Sequence, residues 1–238
     1  MRKNFLFFCW LLAPVALLAF HYGPGQASLA RDNAARHVAV AQALERGEDW
    51  KGAQAAYAAA LALVPVQDRV QRRQLRLAQG KARMVSGELP ESIADMQALL
   101  AEAEKEGGAK AEIHEIRANL GSAEYYAGWL MRLEGAPTEE WSVQVENARQ
   151  HFRLLAEEKL ATGNPGAKGS QEDLEATIRL ARMDLSELEG MPLPKFCQGC
   201  KNVSQKCRGQ CESKAKKPAE GTKDARGASS GERPRGGS

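Results

Sequence analysis

Residues 47–65, GEDWKGAQAAYAAALALVP, constrain the fold more than any other stretch of the chain. Ala53, Tyr57 and Ala60 recur at i, i+4 and i+7, so they share one helical face. Small side chains on that face let a neighbouring helix approach closely, and Tyr57 fills the gap between them. Pro65 cannot continue a helix and biases Val64 towards an extended conformation, which makes the stop sharp. Trp50 stands at the mouth of the helix, just after the turn of Gly47, Glu48 and Asp49.

The flanking sequence supplies partners for this helix. Residues 30–46 read as a preceding helix with Val38, Ala41 and Leu44 on its apolar stripe, ended by Gly47. A second helical pair begins near Asp68, a residue able to cap an N-terminus. Its first helix carries Leu75, Leu77, Ala78, Ala82 and Val85, with Gly80 allowing close approach. Ser86-Gly87 breaks it, and Pro90 suits the first turn of the next helix. There Ile93, Met96, Leu99, Leu100 and Ala103 run to Gly107-Gly108. A third pair starts near Ala109, with Leu120-Gly121, Tyr125 and Trp129 on a long helix that ends near Gly135. Pro137 restarts the chain as a capped helix, along which Ala148, Phe152 and Leu155 repeat the small, aromatic, apolar spacing. Residues 161–168 read as a loop. Ser170 with Asp173 then makes a capping box for a last helix to Glu189, striped by Leu174, Ile178, Ala181, Leu185 and Leu188.

The small–aromatic–small–Pro arrangement of Ala53, Tyr57, Ala60 and Pro65 resembles the second helix of a tetratricopeptide unit. Leu120-Gly121 with Tyr125 looks like part of that unit's first helix. Ser92 and Leu99 depart from the pattern, standing where small Ala is expected, and no proline closes the second pair. The gap between Gly121 and Ala148 is about fifteen residues longer than the repeat expects, through either an added loop or a lengthened helix pair. The resemblance implies an all-α fold over residues 30–190. Antiparallel helical hairpins would stack as a short superhelix closed by a C-terminal capping helix. It also implies peptide or protein binding in a concave groove lined by Gln42, Lys81, Ser122 and Tyr125. Trp129, in the densest aromatic group of the chain with Tyr125 and Tyr126, is a further candidate contact. The alternative for these aromatics is packing against Trp141 and Phe152.

Composition agrees with a helical protein, since alanine is abundant, aromatics make up 6% and Val/Ile/Thr-rich runs are nearly absent. The formal net charge of +3 hides a split. Residues 28–194 hold 20 Lys and Arg against 26 Asp and Glu, while residues 195–238 hold 11 against 4. An acidic body therefore carries a basic tail, which suits contact with an anionic surface.

The first 27 residues read as an export signal. Arg2 and Lys3 precede the apolar run FLFFCWLLAPVALLAF, and Gly25-Gln26-Ala27 offers small residues for cleavage before Ser28. Retention as an anchor and cleavage both place the body outside the cytoplasm, membrane-anchored in the first case and secreted in the second.

Cys197, Cys200, Cys207 and Cys211, spaced C-x2-C-x6-C-x3-C, dominate residues 191–213. Four thiols so close can wrap one zinc ion, and they resemble a zinc knuckle in compactness while lacking its histidine. An oxidising compartment favours two disulfides instead. A redox role for Cys197-Gln198-Gly199-Cys200 lacks the strand–helix setting that lowers a thiol pKa. Residues 214–238 have the composition of a disordered basic tail, with no aromatics among the charges for stacking on nucleic acid.

No serine elbow, phosphate loop or zinc-protease motif is present; after His114-Glu115, Ala118 stands where a second histidine is needed. His37, His114 and His151 read as surface residues. The expectation is a non-enzymatic adaptor, exported and membrane-tethered, that binds a partner chain in its groove. The rival is a metal or thiol-redox accessory protein acting through the cysteines.

Overall fold

The structure is a computed structural model and describes residues 10, 12–15, 18–20, 22 and 24–192. Residues 24–192 form eight helices, and no strand occurs among the described residues. They are α1 (Pro24–Arg46), α2 (Trp50–Leu63), α3 (Arg69–Ser86), α4 (Leu89–Lys105), α5 (Lys110–Leu133), α6 (Thr138–Ala161), α7 (Ala167–Arg182) and α8 (Leu185–Glu189). Connections of two to five residues make sequence neighbours into spatial neighbours. Each helix from α1 to α6 packs on the next, and α8 returns to α5. The protein is all-α, a row of stacked helices.

The local signals act largely as the sequence dictates. The Asp49 carboxylate accepts from the Gly52 N–H at 2.9 Å and caps α2. A Cβ at Gly52 would lie 2.4 Å from that carboxylate, so the tight cap requires glycine there. Ala53, Tyr57 and Ala60 are buried, joined by Ala56. Val64 turns extended before Pro65. Asp68 caps α3 through the Gln71 N–H, and Gly87 ends it in the left-handed conformation at φ 100°.

Ser92 resolves the misfit of the second pair. It is fully buried, and its hydroxyl donates to the Gly80 carbonyl at 2.8 Å. A serine thus stays small at the α3–α4 crossing and satisfies its own polarity.

Two expectations change, and one open alternative is decided. Helix α1 starts at Pro24 rather than Ala30, because proline is tolerated in a first turn and nothing between the two breaks a helix. The extra residues of the third pair go into helix length: α5 and α6 have 24 residues each, joined only by residues 134–137. No side chain caps α6; Glu139 and Glu140 in its first turn face the positive end of the helix dipole instead.

The end of the row differs most. Ser170 is no cap, since α7 already begins at Ala167 and Ser170 is buried inside it, accepting from Lys159 Nζ at 2.8 Å. The single helix to Glu189 is broken at Met183 and Asp184. Arg132 of α5 donates to the carbonyls of Leu180 and Met183, taking the acceptors that a continuing helix would use. Ala181 and Leu185 are consequently exposed, while Leu180, Met183 and Leu188 are buried with Trp129 and Val145.

Among the described residues no helix is long and apolar enough to cross a membrane. The apolar leader lies partly outside them, and its described residues are helical and exposed, including Trp10, Leu12, Val15, Leu18 and Phe20. Cys197, Cys200, Cys207, Cys211 and the tail 214–238 lie outside the described residues.

Candidate functional site

A surface cleft of about 670 Å³ lies between α3 and α5, closed at one end by the α4–α5 turn. Its apolar lining comes from Val70, Leu77 and Ala78 of α3 and from Ala109, Ala111 and Ile116 at the start of α5. The helical phase explains the composition: Val70, Leu77 and Ala78 follow one stripe of α3 at i, i+7 and i+8.

Paired charges line the rest of the cleft. Arg69 Nη1 donates to Glu106 Oε1 at 2.7 Å, and Arg73 Nη1 donates to Glu106 Oε2 at 2.7 Å. Arg73 also reaches Glu112, with Nε on Oε1 at 2.7 Å and Nη2 on Oε2 at 3.0 Å. Arg73 is only 4% exposed. Hydrogen bonds to Glu112 raise its pKa, and they outweigh the opposing effect of burial. Further along α3, Lys81 Nζ donates to Glu115 Oε1 at 2.8 Å. By helical rise, Arg69 and Lys81 stand roughly 18 Å apart along the axis. The lining carries no hydroxyl, thiol or imidazole group.

The expected groove residues are not brought together. Lys81 lines the cleft. Gln42 is exposed on α1 and is not part of the lining. The Ser122 hydroxyl is turned onto its own helix, donating to the Ala118 carbonyl at 2.9 Å. Tyr125 is half-buried and packs edge-on to Trp129, with ring centroids 5.9 Å apart. Trp129 is 3% exposed among Val145, Leu180, Met183 and Leu188, with Trp141 alongside. It serves as core in this structure and presents no surface to a partner.

Two histidines expected at the surface are also largely enclosed. His114 Nε2 lies 2.5 Å from Glu158 Oε2, with 17% of its side chain exposed. His151 is 20% exposed and faces Glu124. Among the described residues no cluster of His, Cys, Asp and Glu is arranged to hold a metal ion.

Sequence reasoning missed Arg73, Glu106 and Glu112. A signal was present: Arg69, Arg73 and Arg76 recur at i, i+4 and i+7 on α3, opposite Glu102 of α4 and Glu106 at its C-terminal cap. Arg76 Nη1 indeed meets Glu102 Oε2 at 2.5 Å. Helix-period charges on two adjoining helices mark a ladder of cross-helix pairs.

No protein-family model, curated protein or solved structure matches this chain.

Proposed function

We propose that this protein is a non-enzymatic adaptor of the tetratricopeptide kind, exported and tethered to a membrane. It holds a segment of a partner chain in the cleft between α3 and α5. The observation that carries the reading is the cleft itself: an apolar strip between two helices with a charge pair towards each end. An extended segment of five or six residues spans roughly 18 Å, and its side chains can alternate between the apolar strip and solvent. Arg69–Glu106 and Lys81–Glu115 would exchange their mutual contacts for contacts with the partner's polar groups, which sets register. The exposed residues Trp10, Leu12, Val15, Leu18 and Phe20 of the leader favour the tether.

A crosslinked pull-down from native membranes tests this reading, comparing the full chain, a chain stopped after Gly190, and Val70→Glu. Val70 is 53% exposed, so the substitution places charge on the cleft without disturbing the core. A partner recovered by the first two and lost with Val70→Glu supports the adaptor. Recovery by the full chain alone moves function to Cys197, Cys200, Cys207 and Cys211, as a metal or thiol site. Unchanged recovery with Val70→Glu removes the cleft from the account.

A further inference from the structure

Helices α5 and α6 approach closely along one seam. A Cβ at Gly121 would meet the Phe152 ring at 3.2 Å and His151 Cβ at 3.3 Å; one at Gly128 would meet Val145 Cγ2 at 2.5 Å. Between these glycines, on the same face by helical spacing, stands a carboxylic acid. Glu124 is 1% exposed. Gln97 of α4 donates to its Oε1 at 3.2 Å, while its Oε2 has no hydrogen-bond partner. The nearest cation-forming group to Oε2 is His151 of α6, with Nε2 3.5 Å away, and the other ring nitrogen of that histidine is likewise buried without a partner.

We infer that Glu124 and His151 form a proton-operated latch, which holds the α5–α6 seam closed while the pair carries one proton and loosens it when the pair carries none or two. With one proton the pair is neutral overall, as an ion pair or as a carboxylic acid beside a neutral imidazole. With none, a carboxylate only 1% exposed is left with the side-chain amides of Gln97 and Asn147 and no cation to balance it. With two, an imidazolium has lost the Glu124 carboxylate and sits near Arg117, with Glu104 as the acidic group that still acts on it.

The surrounding charges agree. Burial pushes the Glu124 carboxyl up to about 7, with Gln97 and Asn147 pulling in the opposite direction. Burial lowers the pKa of His151, assisted by Arg117 of α5 and opposed by Glu104 of α4. Arg117 is itself bound to Glu104 at 2.5 Å and lies 3.7 Å from Glu158 of α6. From α7, Asp173 lies near Lys159 of α6, and burial raises its pKa as well.

The signs follow from linkage. A raised carboxyl stabilises the fold below its ordinary value near 4.5, and that contribution is lost as pH rises through about 7. A lowered imidazole contributes stability above 6.5 that is lost as pH falls through its folded value. Between 4.5 and 6.5 the two contributions change in opposite directions and offset each other, so the net fall in stability lies on the alkaline side, as pH rises towards about 7.

The test is thermal unfolding of the full chain from pH 4.5 to 8.5, for the wild type, Glu124→Gln and His151→Gln. The midpoint of Glu124→Gln should rise relative to wild type by roughly 5 °C between pH 5 and 8, because the amide cannot ionise. His151→Gln should make stability fall with rising pH already from about 5, because the imidazole no longer offsets the carboxyl. Should Glu124→Gln fail to fold, carbon-13 NMR of the Glu124 carboxyl in the wild-type chain decides: titration near neutrality upholds the latch. Parallel profiles for wild type and Glu124→Gln, or a carboxyl that titrates in the ordinary range below 5, would overturn it.

Discussion

Arg73 grips both oxygens of Glu112 from across the α3–α5 cleft, at 2.7 and 3.0 Å, with its guanidinium almost wholly enclosed. The same guanidinium holds Glu106 at the α4–α5 turn, so one side chain ties together three successive helices. Burial makes this tie matter more than its exposed neighbour. Arg73→Ala strands the Glu112 carboxylate, whose side chain is only 14% exposed, and leaves Glu106 with Arg69 alone, so it should cost about 3 kcal/mol in denaturant unfolding. Arg69→Ala removes a contact to the same Glu106 from a side chain 65% exposed, and should change stability by less than about 1 kcal/mol. Equal losses from the two variants would mean that burial does not set the value of these pairs.

Gly80 and Gly128 both lie at helix crossings, yet alanine should act differently at each. At Gly80 the nearest atom to an added Cβ is the flexible tip of Met96, 3.1 Å away. Moving that tip is cheap, and helix propensity returns about 1 kcal/mol, so Gly80→Ala should leave stability nearly unchanged. At Gly128 the obstacle is Val145 Cγ2 at 2.5 Å, on a stiff β-branched side chain. Gly128→Ala should cost roughly 1–3 kcal/mol. Combining it with Val145→Ala should cost less than the sum of the two single changes. A double-mutant cycle that adds without coupling would place the strain elsewhere.

Arg132 governs the end of the row. Besides its bonds to Leu180 and Met183, its guanidinium sits 4.6 Å from the Trp141 ring centroid. Arg132→Ala should release α8 and expose the 182–185 connection to protease, with a loss of roughly 2 kcal/mol. Arg132→Lys should restore little, because an ammonium offers no planar fork for two carbonyls and an aromatic face. Limited proteolysis reads this directly: cleavage near Met183 that is as slow in both variants as in the wild type would refute it.

The sequence by itself determined where helices begin and end in most of the chain, because the signals are local. Asp49, Asp68, Gly87, Pro65 and Pro90 act through the backbone of their own turn, whatever packs nearby. The face carrying Ala53, Tyr57 and Ala60 was legible for the same reason, since periodicity needs only one helix. Tertiary structure alone decided which of those faces became surface. Trp129 reads equally well as a contact or as core, and it is core because α6, α7 and α8 all converge on it. The last stripe fails because Arg132, roughly fifty residues earlier in the chain, stops α7 at a point no local residue announces. Glu124 looks like any exposed helical acid until α4 and α6 close over it. Each of these outcomes depends on the angular phase at which a helix meets two neighbours at once. Phase between helices is set by packing over the whole row, and no single segment contains it.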